Sequence, residues 1–81
     1  MIIVTNSDIL GKNIRYLRRK NWLSRRRLAL LVRWDAASVR AMEKGTLRDI
    51  EQDTLFLLCR LFEVDVMTLM TVELKKKIRC D

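Results

Sequence analysis

Residues 23–45 read LSRRRLALLVRWDAASVRAMEKG, and the spacing of their apolar and capping residues decides the fold. Ser24 offers a side-chain acceptor just ahead of a helical pattern that places Leu28, Ala29 and Val32 on one face. Asp35 opens a second pattern with Val39 and Met42 inward, and Gly45 suits a left-handed stop. Only about three residues separate the two helices. Where they cross, the small Ala29 allows close approach that a larger side chain would prevent.

Outward from this corner, the same helical spacing continues. Asn6, Ser7 or Asp8 can cap a first helix carrying Leu10, Ile14 and Leu17 on one face and ending near Asn21. Thr46–Gln52 reads as a loop. Asp53 or Thr54 lies near the start of a fourth helix whose Leu55, Leu58, Cys59 and Phe62 share a face, and Asp65 caps a short fifth helix with Val66, Leu69 and Met70. Met1–Thr5 is β-prone, and the pattern leaves residues 72–81 undetermined. With no proline and two glycines, the chain favours helices joined by tight turns over a many-stranded sheet. The expectation is an all-α, five-helix bundle at residues 9–71, with an N-terminal segment at 1–8 and a basic tail at 72–81.

Charge is divided unevenly along the chain. Residues 8–48 hold twelve Lys/Arg against Asp8, Asp35 and Glu43, a net +9. Residues 49–73 hold Arg60 against six acids, a net −5, and the last eight residues carry +3. A basic half of this kind suits a phosphate backbone, because each neutralised phosphate releases condensed counterions. A solvated basic face without a partner is the plainer alternative.

Several classes of function are disfavoured. Histidine is absent, and Cys59 and Cys80 alone cannot supply a four-ligand zinc set, so no metal or other cofactor is expected. Cys59 belongs to an apolar helical face and reads as a buried free thiol. No Gly-rich phosphate loop follows a strand, and Asp49, Glu51 and Asp53 fit a loop and a helix N-terminus, so no enzyme is expected. The longest apolar runs are too short to cross a bilayer and Met1–Thr5 is too short for a signal peptide, which implies a cytoplasmic protein without a membrane partner. Single-stranded RNA is a weaker candidate, since the basic half offers few aromatic platforms beyond Tyr16, Trp22 and Trp34.

The segment resembles the Cro/cI repressor-type, or Xre, helix-turn-helix family. Leu23, Ser24, Leu28, Ala29, Glu43 and Gly45 keep the family pattern, with apolar equivalents at Val32, Trp34, Val39 and Met42. The likeness extends upstream through Leu10, Gly11, Ile14, Leu17 and Arg18, and downstream through Thr54, Leu55, Phe62, Val64, Asp65 and Leu69. It implies a lambda-repressor-like fold whose helix-turn-helix proper is 24–43, and a small transcriptional regulator, a repressor, that binds double-stranded DNA with its third helix in the major groove. Carried over residue by residue, it places Ala36, Ala37, Ser38, Arg40 and Ala41 toward base edges. Ser24, Arg25, Arg26, Lys44, Thr46 and Arg48 then fall along the phosphates. It also implies an ion pair between Arg18 and Glu43 that ties helix 1 to helix 3.

The departures bear on specificity. Family members usually carry Gln at the position of Arg25 and long polar residues at Ala36, Ala37 and Ala41. Alanine makes no bidentate hydrogen bond to a base and offers at most a contact to a thymine methyl. Affinity is then expected to rest on phosphate contacts, which position a protein without reading much sequence. Arg33 stands where glycine is usual, so the turn is either left-handed at some cost or differently shaped. Leu30, Leu31, Leu57 and Trp22 replace residues that are commonly polar or small, and either enlarge the core or form an exposed patch for a copy or another protein. The expected partners are DNA, a second copy and a second protein, with no small-molecule ligand. A pure interaction module of the antitoxin or adaptor kind is the alternative.

Overall fold

The computed structural model describes residues 1–5 and 8–77. In chain order the elements are β1 (Ile2–Val4), α1 (Ile9–Lys20), α2 (Arg25–Leu31), α3 (Ala36–Lys44), β2 (Asp49–Glu51), α4 (Gln52–Phe62), α5 (Val66–Thr71) and α6 (Leu74–Lys77). The helices expected from periodicity are all present, and α1 to α5 enclose a core that includes Leu10, Ile14, Leu28, Val39, Leu55 and Leu69. The cap candidates Asn6 and Ser7, and the tail residues Arg79 and Cys80, lie outside the described residues.

One feature differs from the sequence reading, and another lies where that reading left the chain undetermined. The segment Thr46–Gln52 is not all loop: Asp49–Glu51 pairs antiparallel with Ile2–Val4, in the register Ile2↔Glu51, Ile3↔Ile50 and Val4↔Asp49. Ile50 is buried and Ile3 packs against the core, while their neighbours face outward, as period-two alternation requires. Gln52 N–H donates to the Met1 carbonyl and Thr5 N–H to the Arg48 carbonyl, closing both ends of the pair. The second feature is α6, whose Leu74 joins the core. The packed unit thus reaches beyond residues 9–71 at both ends.

Asn13 holds the C-terminal part in place. Its buried amide donates to the carbonyls of Leu69 and Val72, each at 2.7 Å, and its oxygen accepts from Leu74 N–H at 2.9 Å. One side chain on α1 therefore fixes the end of α5 and the start of α6. On the same helix, Gly11 lets α3 come close, because a Cβ there would collide with the Met42 backbone carbonyl.

Helices α1, α2, α3 and α4 all end in the same way. A residue with positive φ (Trp22 59°, Arg33 57°, Gly45 83°, Glu63 57°) follows the last turn. The next amide then reaches back five residues: Leu23 to Arg18, Trp34 to Ala29, Thr46 to Ala41 and Val64 to Cys59. This is the 6→1 bond of the Schellman motif, which satisfies a carbonyl that the helix leaves unpaired. Leu23, Trp34 and Val64 pack against the core just after their turns. Arg33 accordingly takes the left-handed option.

Candidate nucleic-acid interface

Ser24 caps α2 by accepting from Arg27 N–H at 3.0 Å. Val39 and Met42 anchor α3 in the core and so set its rotation. That rotation leaves Ala36, Ala37, Arg40 and Lys44 exposed, with Ser38 and Ala41 half-buried. The N-terminal half of α3 is therefore a strip of methyl groups with no protein over it, followed one turn later by the long side chain of Arg40. Nothing on this strip hydrogen-bonds a base edge in the bidentate manner except Arg40.

Beside this strip the cations are held in different ways. Glu43, at the far end of α3, is almost completely buried and accepts from Arg18 Nε at 2.7 Å, from a terminal nitrogen of Arg18 at 3.2 Å and from Arg25 Nε at 3.1 Å. Arg18 also donates to the Leu23 carbonyl at 2.9 Å. The cluster carries two positive charges against one negative, and it joins α1, α2 and α3. Arg25 spends only its Nε on Glu43 and its side chain is 38% exposed, so the rest of its guanidinium fork lies at the surface. Arg26 is exposed on α2.

After α3, Thr46 Oγ1 donates back to the Ala41 carbonyl. Arg48 pairs with Asp8 at 2.8 Å, both exposed. Asp8 also lies against Gly45, where an added Cβ would meet its carboxylate at 3.2 Å. Ser24, Arg25 and Arg26 thus stand at the start of α2, Lys44 ends α3, and Thr46 and Arg48 follow it; of these, Arg25 is joined to α3 through Glu43 and Thr46 through the Ala41 carbonyl. Sequence reasoning missed the partnership of Arg25 with Glu43, the Asp8–Arg48 pair and the Asn13 clip. Only Asn13 had a signal: a polar residue at position 13 lies on the apolar stripe of Leu10 and Leu17.

The surplus apolar residues separate into two groups. Leu57 is half-buried against the core, whereas Trp22, Leu30 and Leu31 are exposed. Cys59 is a buried free thiol whose pKa is pushed up, first by burial and then by the nearby Asp65 carboxylate. Among the described residues, no helix is long and apolar enough to cross a membrane.

By sequence, no protein-family model and no curated protein matches the chain. By structure, it is similar to the P22 c2 repressor protein, solved in complex with the synthetic operator 9T. The TM-score is 0.71 at 17% identity, covering 80% of this chain and 97% of that one. It is also similar to the hypothetical transcription factor NHTF from Neisseria, with TM-score 0.69 at 18% identity over 95% of this chain and 94% of the other. A third likeness is to the restriction-modification controller protein C.AhdI from Aeromonas hydrophila, with TM-score 0.63 at 27% identity over 74% and 89% of the two chains. The architecture is that of a Cro/cI-type, lambda-repressor-like helix-turn-helix domain, with a small two-stranded sheet added.

Proposed function

We propose that this protein is a small transcriptional regulator, acting as a repressor, that binds double-stranded DNA by placing α3 in the major groove. The observation that carries this reading is the uncovered N-terminal half of α3, whose far end is tied through Glu43 to Arg25 at the start of α2. The solved complex of the structurally similar P22 c2 repressor with an operator supports it. Ala36, Ala37, Ser38 and Ala41 lie toward the groove floor in this pose, and Arg40 carries what hydrogen-bond reading there is. The segment 24–43 holds the groove-facing residues, and the remainder of 9–71 positions them. The chain works in the cytoplasm, as a homodimer, without a cofactor and without catalysis.

The test is duplex binding over a salt series, followed by selection of bound genomic fragments. We expect a linear fall of log K with log salt, steep because several phosphates are neutralised. Arg25→Ala should weaken all duplexes alike and shallow the slope by roughly one, while Arg40→Ala should change the preferred sequence. Absence of binding even at low salt would refute the reading.

A further inference from the structure

The end of the molecule formed by the α1–α2 turn and the C-termini of α2 and α4 carries apolar surface that the fold does not use. Trp22 is 93% exposed and Leu30 72% exposed. Asn21 and Leu23, the chain neighbours of Trp22, and Leu31, the neighbour of Leu30, line with Leu61 and Phe62 a hollow of about 190 Å³. An apolar cavity of roughly 150 Å³ accepts a benzene ring, so this one has room for a phenyl or isobutyl group. Trp22 also occupies a left-handed backbone position, at φ 59°, where glycine is unstrained. Strain and exposed indole surface both disfavour tryptophan there, and its packing within the chain repays neither. A tryptophan beside an apolar hollow is the usual make-up of an energetic centre in a protein interface.

Charge identifies the occupant. Arg26 lies four residues before Leu30, and Arg27 four residues before Leu31, so each cation shares a face of α2 with one exposed leucine. Arg26 and Arg27 are both exposed, Lys20 ends the neighbouring helix α1, and Glu63 is the acid next to Phe62. A second copy seated on this face would bring like-charged rows together. A helix with Leu, Phe or Trp anchors and flanking Asp or Glu would instead fill the hollow and meet the arginines.

We propose that the hollow at Leu23, Leu31 and Leu61, with the exposed Trp22 next to Leu23 in the chain, is the docking site for an acidic, apolar-tipped helix of a second protein. Its acids extend along α2 onto Arg26, so this partner and the DNA phosphates exclude each other and its binding releases the duplex. The exclusion rests on the DNA-binding reading; the docking does not.

The experiment selects peptides from a random displayed library on the full chain and measures their affinity directly, without DNA. The two variants are Leu31→Ser and Trp22→Gly, the second of which relieves strain and keeps the fold. We expect enriched peptides to combine an aromatic or leucine anchor with Asp and Glu, and to lose tenfold or more in affinity on each variant. Both variants should bind duplex like the wild type, and the synthetic peptide should displace duplex from the wild type. No enrichment, enrichment of basic peptides, or peptides that bind both variants undiminished would overturn the proposal. So would a wild-type self-association that Leu31→Ser abolishes, since the face would then belong to a second copy. Failure of the chain to bind any duplex would remove the displacement arm alone and leave the direct peptide affinities to decide.

Discussion

The Glu43 carboxylate receives three hydrogen bonds from two arginines while its side chain is only 1% exposed. Its two partners differ: Arg18 is nearly buried, and Arg25 is more than a third exposed and worth correspondingly less to stability. Removing the acid leaves the Arg18 charge buried with only the Leu23 carbonyl for company. Glu43→Ala should therefore cost on the order of 2–4 kcal/mol, toward the low end for a broken buried pair because Arg25 can turn to water. Denaturant unfolding measures this, and a loss under about 1 kcal/mol would show that the cluster only orients side chains. The Asp8–Arg48 pair has the opposite character. Both members are exposed, so it adds little to stability. Its carboxylate nevertheless pairs with Arg48, which we assign to phosphate, and lies against Gly45, the residue after Lys44. Asp8→Asn should leave the unfolding midpoint nearly unchanged and tighten duplex binding several-fold, with a salt slope steeper by up to about one. Unchanged or weaker binding would take Arg48 out of the phosphate set.

Four helices stop on one motif, although only one of the left-handed positions is glycine. Such a stop is set less by the residue in the left-handed conformation than by the next one, whose amide closes the motif and whose side chain packs inward. The pattern of Leu23, Trp34 and Val64 behind the helices carries that information, and it is apolar, so in sequence it looks like core rather than punctuation. This is why Gly45 was legible as a helix stop while Arg33 left two geometries open and Glu63 gave no sign. Arg33→Gly should keep every hydrogen bond of the α2–α3 turn and relieve the left-handed strain. A gain of roughly 1 kcal/mol is expected, equivalent to about 4–8 °C in Tm for a domain of this size. A lower Tm would mean that the Arg33 side chain makes contacts of greater value than the strain. Periodicity revealed α1 to α5 because each buries a stripe at helical spacing. It could not reveal the β1–β2 pair, since each strand is three residues long and its partner lies far along the chain. The outward face of α3 was legible for the same reason, since Val39 and Met42 fix its rotation. The local pairings of Arg25 and Arg48 were not, because both acids come from other elements.

In the proposed reading, the basic residues 8–48 meet DNA and a second copy pairs elsewhere on the chain. A monomer with alanines at positions 36, 37 and 41 has few base contacts with which to choose one site among many. Two linked copies reading half-sites one helical turn apart multiply two weak preferences. The apolar surface we assign to that pairing is on β1 and α5. β1 and α5 carry no charged residue between them, and Ile2, Val4 and Met67 are exposed apolar side chains. Phe56, on α4, is exposed as well. Ile2 and Val4 stand opposite the exposed Glu51 and Asp49 of β2, so the charge beside this material is acidic, whereas the leucines exposed on α2 share their faces with Arg26 and Arg27. A homodimer through β1 and α5 should therefore lose self-association on Met67→Glu, which places a charge in an apolar contact, and keep it on Leu31→Ser. Sedimentation at micromolar concentration under reducing conditions reads the first effect, and footprinting reads the second consequence. The wild type should protect two half-sites about 10 base pairs apart, whereas Met67→Glu should bind more weakly and lose the two-fold pattern. A wild-type monomer that protects a single half-site would rule the dimer out.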